Sequence, residues 1–177
     1  LLKNPHDEAK FHYYFTSQLL CIDGITTDAP TIRMVPQCGD RGCIFQSIQS
    51  SPCGRLLLVQ LTTTLSYSVP LHRFGKSIEV WDLQSSVSKT TVQSIPVDDE
   101  IPLSYDACSR HPRSYFFHPC KDRTLVYAQA LDSGDPTVKD VDLVNGQRDA
   151  LYVQDIELIQ DKGGTDDDDD GASSSIV

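Results

Sequence analysis

Four sets of residues have the types and spacing to do chemistry. Cys108-x-x-His111 followed by His118-x-Cys120 puts four side chains that can bind zinc within thirteen residues, and cysteine and histidine are the usual donors of a tetrahedral zinc site. Asp98-Asp99-Glu100 offers neighbouring carboxylates, which divide acid and base work when their surroundings push their pKa values apart. Arg73, Arg110 and Arg113, with His72 and His111 beside them, put cations into an acidic chain. A planar guanidinium can hold a carboxylate through two parallel hydrogen bonds. Six cysteines (Cys21, Cys38, Cys43, Cys53, Cys108 and Cys120) could in principle close three bridges.

Most of these sets read more simply as structure. His118 and Cys120 straddle a predicted strand end, and Pro112 and Pro119 stiffen the backbone between the four donors. They read as loop histidines and core thiols, and Cys38-x4-Cys43 lacks further partners, so no metal is expected. Nothing near 98–100 would split the carboxylate pKa values, which makes that segment a solvated loop. The irregular cysteine spacing in a chain of 177 residues fits reduced thiols of an intracellular protein better than a disulfide scaffold. No Gly-x-Ser-x-Gly elbow is present and the ten glycines form no phosphate loop, so no catalytic residue and no cofactor is assigned. With so little helix expected, no helix N-terminus is on offer as an anion site. The arginines keep two readings: ion pairs to 98–100 or to a covering domain, or a grip on a substrate carboxylate, with Arg73 and Arg113 the candidates.

The elements that must position these residues are strands. Helical periodicity is confined to the first dozen residues, where a short helical turn is expected. Elsewhere, short β-branched or aromatic runs are bounded by Pro, Gly, Ser and Asp, which predicts an all-β chain. Strands are expected near 16–22, 31–35, 44–50, 56–62, 77–83, 90–95, 114–118, 124–130 and 150–158. Ser51-Pro52-Cys53-Gly54 is the tightest turn, and the run 56–61, apolar at nearly every position, predicts a strand buried on both faces. Trp81 and the aromatic run Tyr13-Tyr14-Phe15 read as packing residues, with Asp82 capping the turn after its strand.

A weak repeat relates Phe45, Ser51-Pro52-Cys53-Gly54-Arg55 and Leu56-Leu57-Leu58-Val59 to Phe117, His118-Pro119-Cys120-Lys121-Asp122-Arg123 and Thr124-Leu125-Val126-Tyr127, with Pro52 and Pro119 lying 67 positions apart. An aromatic strand, a proline turn and a buried strand, followed by two further strands, describe a β-propeller blade. The full four-strand blade is expected at about 44–96. Its two longest loops, 63–76 and 96–113, would then emerge on one face. Residues 1–158 form the expected partial propeller of two to three blades, and 159–177 a low-complexity acidic and serine-rich tail expected to be disordered. Fewer than three repeats of 67 fit in 177 residues, whereas a closed propeller needs about four to eight blades. The chain therefore reads as part of a longer protein, a view its first residue, Leu1, also favours.

Charge narrows the partners. Fifteen basic and 25 acidic residues give a formal net charge of −10, and removing the run Asp166–Asp170 halves it to −5. Such a surface repels phosphate backbones and anionic membranes, and no apolar run is long enough to span a bilayer.

With these loops placed, the sequence resembles the propeller region of the chloroplast-type glutamyl endopeptidases, a branch of the prolyl oligopeptidase family of serine peptidases. The resemblance rests on Leu1-Leu2-Lys3-Asn4, Asp7-Glu8, Phe11-His12-Tyr13-Tyr14 and Thr16-Ser17-Gln18-Leu19. It continues through Tyr67-Ser68-Val69-Pro70, Arg73-Phe74-Gly75-Lys76, Ile78-Glu79-Val80-Trp81, Glu100-Ile101-Pro102 and Arg113-Ser114. Thr124-Leu125-Val126-Tyr127, Asp132-Ser133-Gly134-Asp135 and Asp149-Ala150-Leu151-Tyr152 complete a collinear match to about Leu158. Gly75 replaces the family's proline, Ser133 replaces a glycine, spacing shifts by one residue around Ser68, and the Asp run is extra.

The resemblance implies a serine-type endopeptidase that cleaves peptides after Glu. Its propeller would gate an α/β-hydrolase domain carrying a Ser-Asp-His triad, and that domain and the peptide substrates would be the partners. None of the triad is in this chain, which alone is expected to be inactive. The compartment would be the plastid stroma or the cytoplasm. The competing reading is a non-enzymatic WD-like scaffold for protein–protein interaction, prompted by Val80-Trp81-Asp82-Leu83. One Trp, no Gly-His and an offset of 67 fit it poorly, because WD repeats recur at about 40–45 residues.

Overall fold

The computed structural model describes residues 2–85, 88–101, 108–135, 137–139 and 146–157; the expected tail, 159–177, lies outside them. One α-helix, α1 (Pro5–Phe15), precedes ten strands: β1 (Thr16–Ser17), β2 (Leu20–Asp23), β3 (Thr31–Met34), β4 (Cys43–Ser50), β5 (Leu56–Thr64), β6 (Gly75–Asp82), β7 (Lys89–Ile95), β8 (Arg113–Phe117), β9 (Thr124–Ala130) and β10 (Asp149–Asp155). They form three antiparallel sheets, ordered β1-β4-β5-β6-β7, β10-β9-β8 and β2-β3. The described residues are mostly β, with one α-helix and two short 3-10 turns at Pro36–Cys38 and Leu71–Arg73, and among them no closed propeller is formed.

Alternation along β5 and β6 builds the layers, since successive side chains of a strand point to opposite faces. Leu56, Leu58, Ile78 and Val80 face the three-stranded sheet and pack with its Phe117 and Leu125 and with Ile156. Val59, Leu61 and Trp81 point the other way and pack with Val35 beyond the β2–β3 hairpin. The run at 56–61 is therefore buried on both sides, as its composition predicts. Trp81 is fully buried; its indole Nε1 donates to Glu79 Oε2 at 2.8 Å, while Ser77 Oγ donates to Glu79 Oε1 at 3.0 Å. Those bonds let a carboxylate sit in the interior, where an unpaired one would be very costly. Asp82 Oδ1 caps the turn by accepting from the Gln84 N–H at 2.9 Å.

The repeat reaches further than its sequence signal. Ser51 N–H donates to Leu56 O and His118 N–H to Thr124 O, each at 2.8 Å, closing equivalent hairpin turns. Gly54, at φ +73°, takes the left-handed position of the shorter one. The second turn is one residue longer. In the third strands, Leu83 N–H donates to Arg55 O and Ile156 N–H to Arg123 O. The pairing Leu56 with Asp82 matches Thr124 with Asp155. Two meanders of like register thus lie face to face, tied at their turns by the Cys53 N–H donating to Asp122 Oδ1 at 2.8 Å.

Three expectations change. The N-terminal turn is an eleven-residue helix, with Pro5 in its first turn and Asn4 Oδ1 accepting from the Asp7 N–H at 3.0 Å. A helix N-terminus therefore exists, but Asn4 and the first-turn acids Asp7 and Glu8 occupy it. Tyr13, Tyr14 and Phe15 are 79%, 74% and 53% exposed, so they are not core residues. The helix has no buried face; it rests on Phe11, stacked on Phe15 and edge-on to Phe74. Finally, the strand expected at 16–22 is two strands, because β1 pairs with β4 and β2 with β3. The outermost layers stay apolar and wet: Leu20, Ile22, Ile32 and Met34 on the hairpin, and Leu151 and Val153 on β10, are all exposed.

Two stability experiments follow from this packing. Leu125→Ala should cost roughly 2–5 kcal/mol in urea unfolding, the range for a truncated buried leucine. Ile32→Ala should stay within about 0.5 kcal/mol; equal losses would contradict the layering. Arg55 Nη2 donates to Asp82 Oδ2 at 2.6 Å, and Asp82 is only 4% exposed. The guanidinium holds the Asp82 carboxyl below its ordinary value of 3.8. A depressed carboxylate contributes stability that is present above the unfolded-state pKa and lost as pH falls through the folded one. Asp82→Asn should therefore flatten the loss of stability below about pH 4, measured as the pH dependence of the melting temperature.

Candidate functional site

The two long loops do share a face. Asp98 N–H donates to Arg73 O at 2.9 Å, and Arg73 Nη1 donates to Ile101 O at 2.8 Å. Each arginine nevertheless has its own partner. Arg110 Nη2 meets Glu100 Oε2 at 2.5 Å on the surface, while Arg113 Nη2 meets Asp149 Oδ1 on β10 at 2.6 Å. Asp98 itself is buried, unlike Asp99 and Glu100, so the acidic run is not uniformly a solvated loop.

Arg113 opens β8 opposite Ala128, and the ladder shifts between Arg113 and Phe116. Ser114, at φ +56°, carries a left-handed backbone that residues other than glycine adopt rarely. Bulges of this kind re-aim the side chain beside them. Here Arg113 lines a cleft of about 160 Å³ between the two stacked sheets. Its Nη1 is buried and has no hydrogen-bond partner among the described residues. Buried polar atoms are nearly always paired.

The opposite wall comes from the five-stranded sheet: Gln60 on β5, Lys76 and Ile78 on β6, and Ile95 at the end of β7. Lys76 Nζ donates to His72 O at 3.0 Å. Burial pushes the Lys76 ammonium below its ordinary value of 10.5, and the Asp98 charge opposes that shift. Sequence reasoning did not single out Lys76, though its even spacing from Ile78 and Val80 places it on the inward face. Asp149, Arg113's partner, lies 36 positions away and had no local signal. A guanidinium side chain and an ammonium side chain thus line the same cleft from opposite sheets. Two larger recesses, about 440 Å³ beside Arg33 and Met34 and about 370 Å³ beside Phe11 and His72, lack such a pair.

His118 Nδ1 accepts from the Cys120 N–H at 3.1 Å within its turn. Among the described residues, no three His, Cys, Asp or Glu side chains are grouped to hold a metal ion. All six cysteines are free thiols. No described helix is long and apolar enough to cross a membrane.

The chain is 28% identical over 162 residues to a protein of Oryza sativa subsp. japonica named probable glutamyl endopeptidase, chloroplastic, covering 90% of this chain and 16% of that one. It is 29% identical over 160 residues to an Arabidopsis thaliana protein of the same name, covering 89% of this chain and 15% of that one. The relationship is distant but runs along nearly the whole chain, which spans about one-sixth of the length of these relatives. No protein-family model and no solved structure matches it.

The thiols give a direct check of the local environments. Cys53 and Cys120 are exposed. Burial pushes Cys38 up to about 12, so it stays a thiol at pH 8, and alkylation needs the thiolate. Iodoacetamide labelling followed by mass spectrometry should modify Cys53 and Cys120 well before Cys38. Equal rates would contradict the described burial.

Proposed function

We propose that this chain is a propeller section of a serine-type endopeptidase of the prolyl oligopeptidase kind, and that the two facing meanders are successive blades. In this reading, residues 1–158 belong to the propeller and the complete blade runs from about 44 to 96. The catalytic α/β-hydrolase domain is a separate part of the parent protein, and the propeller restricts its substrates to short or unfolded peptides. The observation that carries the reading is the collinear similarity, over about nine-tenths of the chain, to two proteins named as glutamyl endopeptidases. The shared registers of the two meanders are its structural counterpart. The word chloroplastic in both names favours a plastid location for the parent. The WD-like scaffold has in its favour only Val80-Trp81-Asp82-Leu83, whose Trp serves the core.

Glutamate preference would draw on the basic residues of the loop face. Arg73 Nη1 donates to the Ile101 carbonyl, whereas Arg113 keeps a buried nitrogen without a partner among the described residues, which makes Arg113 the stronger candidate for meeting a substrate carboxylate. A charged hydrogen bond of this type is worth about 1.5–3 kcal/mol, roughly 10- to 100-fold in rate. In the full-length enzyme, Arg113→Ala should lower kcat/KM for cleavage after Glu by that factor while sparing cleavage after Leu. Arg73→Ala should affect both alike. Equal losses on both peptides for Arg113→Ala would remove the specificity role, and turnover of a glutamyl peptide by the purified 177-residue chain would overturn the division of labour.

A further inference from the structure

We infer that the cleft between the two meanders is a carboxylate site held jointly by Lys76 of one sheet and Arg113 of the other. The inference deepens the proposed function by placing the acidic group between sheets rather than on an open loop surface. Four observations converge on it. Arg113 Nη1 is buried in the structure without a partner, although the same guanidinium is anchored through Nη2 to Asp149. Lys76, whose burial disfavours its charge, lines the same cleft. An ammonium has three donors, and the bond to His72 O uses one of them. The left-handed Ser114 beside Arg113 marks a backbone held in an unfavourable conformation, a kind of strain that clusters at ligand sites.

The walls define the ligand. Ile78, Ile95, Pro112 and Tyr115 give the cleft apolar walls, interrupted by the polar Gln60 and Ser109. At about 160 Å³ the cleft suits one carboxylate on a short aliphatic stem, such as a glutamate side chain, and not a length of folded peptide. Asp98 beside Lys76 and Asp149 on Arg113 offset much of the positive charge. The site therefore favours a single negative charge over a dianion. A carboxylate bridging Lys76 to Arg113 would also pin one sheet to the other.

The test uses the 177-residue chain, so it reads the site without the peptidase domain. N-acetyl-glutamate α-amide, its neutral glutamine counterpart and inorganic phosphate are titrated separately, followed by calorimetry and thermal shift. The acid should bind at least tenfold more tightly than the amide and raise the melting temperature. Lys76→Gln and Arg113→Gln should each abolish that difference, while Arg110→Gln, outside the cleft, should leave it unchanged. Backbone amide shifts in the unmutated chain provide a reading that needs no variant: Lys76, Ile78 and Arg113 should move with the acid and not with the amide. Phosphate binding as tightly as the acid, or acid and amide binding alike, overturns the carboxylate assignment. If the acid binds here but Arg113→Ala keeps its preference for Glu in the full-length enzyme, the peptidase role fails and the site stands. Amide shifts confined to other residues overturn the site itself.

Discussion

Everything in this chain depends on one strand pair being covered on both faces. β5 and β6 bury Leu56, Leu58, Ile78 and Val80 against one layer and Val59, Leu61 and Trp81 against another. A one-residue slip exchanges a strand's two faces, and because both faces of this pair lie in cores the slip would disrupt the packing on each side. The register of β5 with β6 fixes which side of Gly75–Asp82 carries Lys76, and thus that this lysine looks toward the second meander. The buried Glu79, satisfied by Trp81 and Ser77, is the polar consequence of the same arrangement.

The strands were largely legible because their signals are local. Proline and glycine turns bound them, and β-branched or aromatic runs fill them, so the eight expected strands from 31–35 onward differ from the observed ones mainly at their ends. The helix was under-read for a physical reason: its stability comes from Asn4, Pro5 and first-turn acids rather than from an apolar face, so hydrophobic periodicity had little to detect. The exposure of Tyr13 and Tyr14 follows from that absence of a buried face.

The site was legible only in part. Arg113 could be noticed as a cation in a long loop of an acidic chain. Its ion pair with Asp149 joins the two outer strands of one sheet, 36 positions apart, and the cleft it lines exists only where two meanders meet; no local pattern encodes either. Lys76 illustrates a middle case, since alternation places it on an inward face but cannot say that a second sheet brings an arginine opposite. Arg73 shows the reverse: the sequence made it as good a substrate candidate as Arg113, yet its guanidinium donates to the Ile101 carbonyl of the neighbouring loop.

The exposed apolar residues on the outermost layers carry a consequence of their own. Neither the β2–β3 hairpin nor β10 presents a polar face that would end the stack, because Leu20, Ile22, Ile32 and Met34 at one side and Leu151 and Val153 at the other all remain wet. A stack of this kind behaves as a one-dimensional array, in which each layer owes its free energy mainly to its nearest neighbours. The middle sheet is then the most cooperative unit. A lesion in one outer layer would reach the other only through it, and fraying would begin at the two ends.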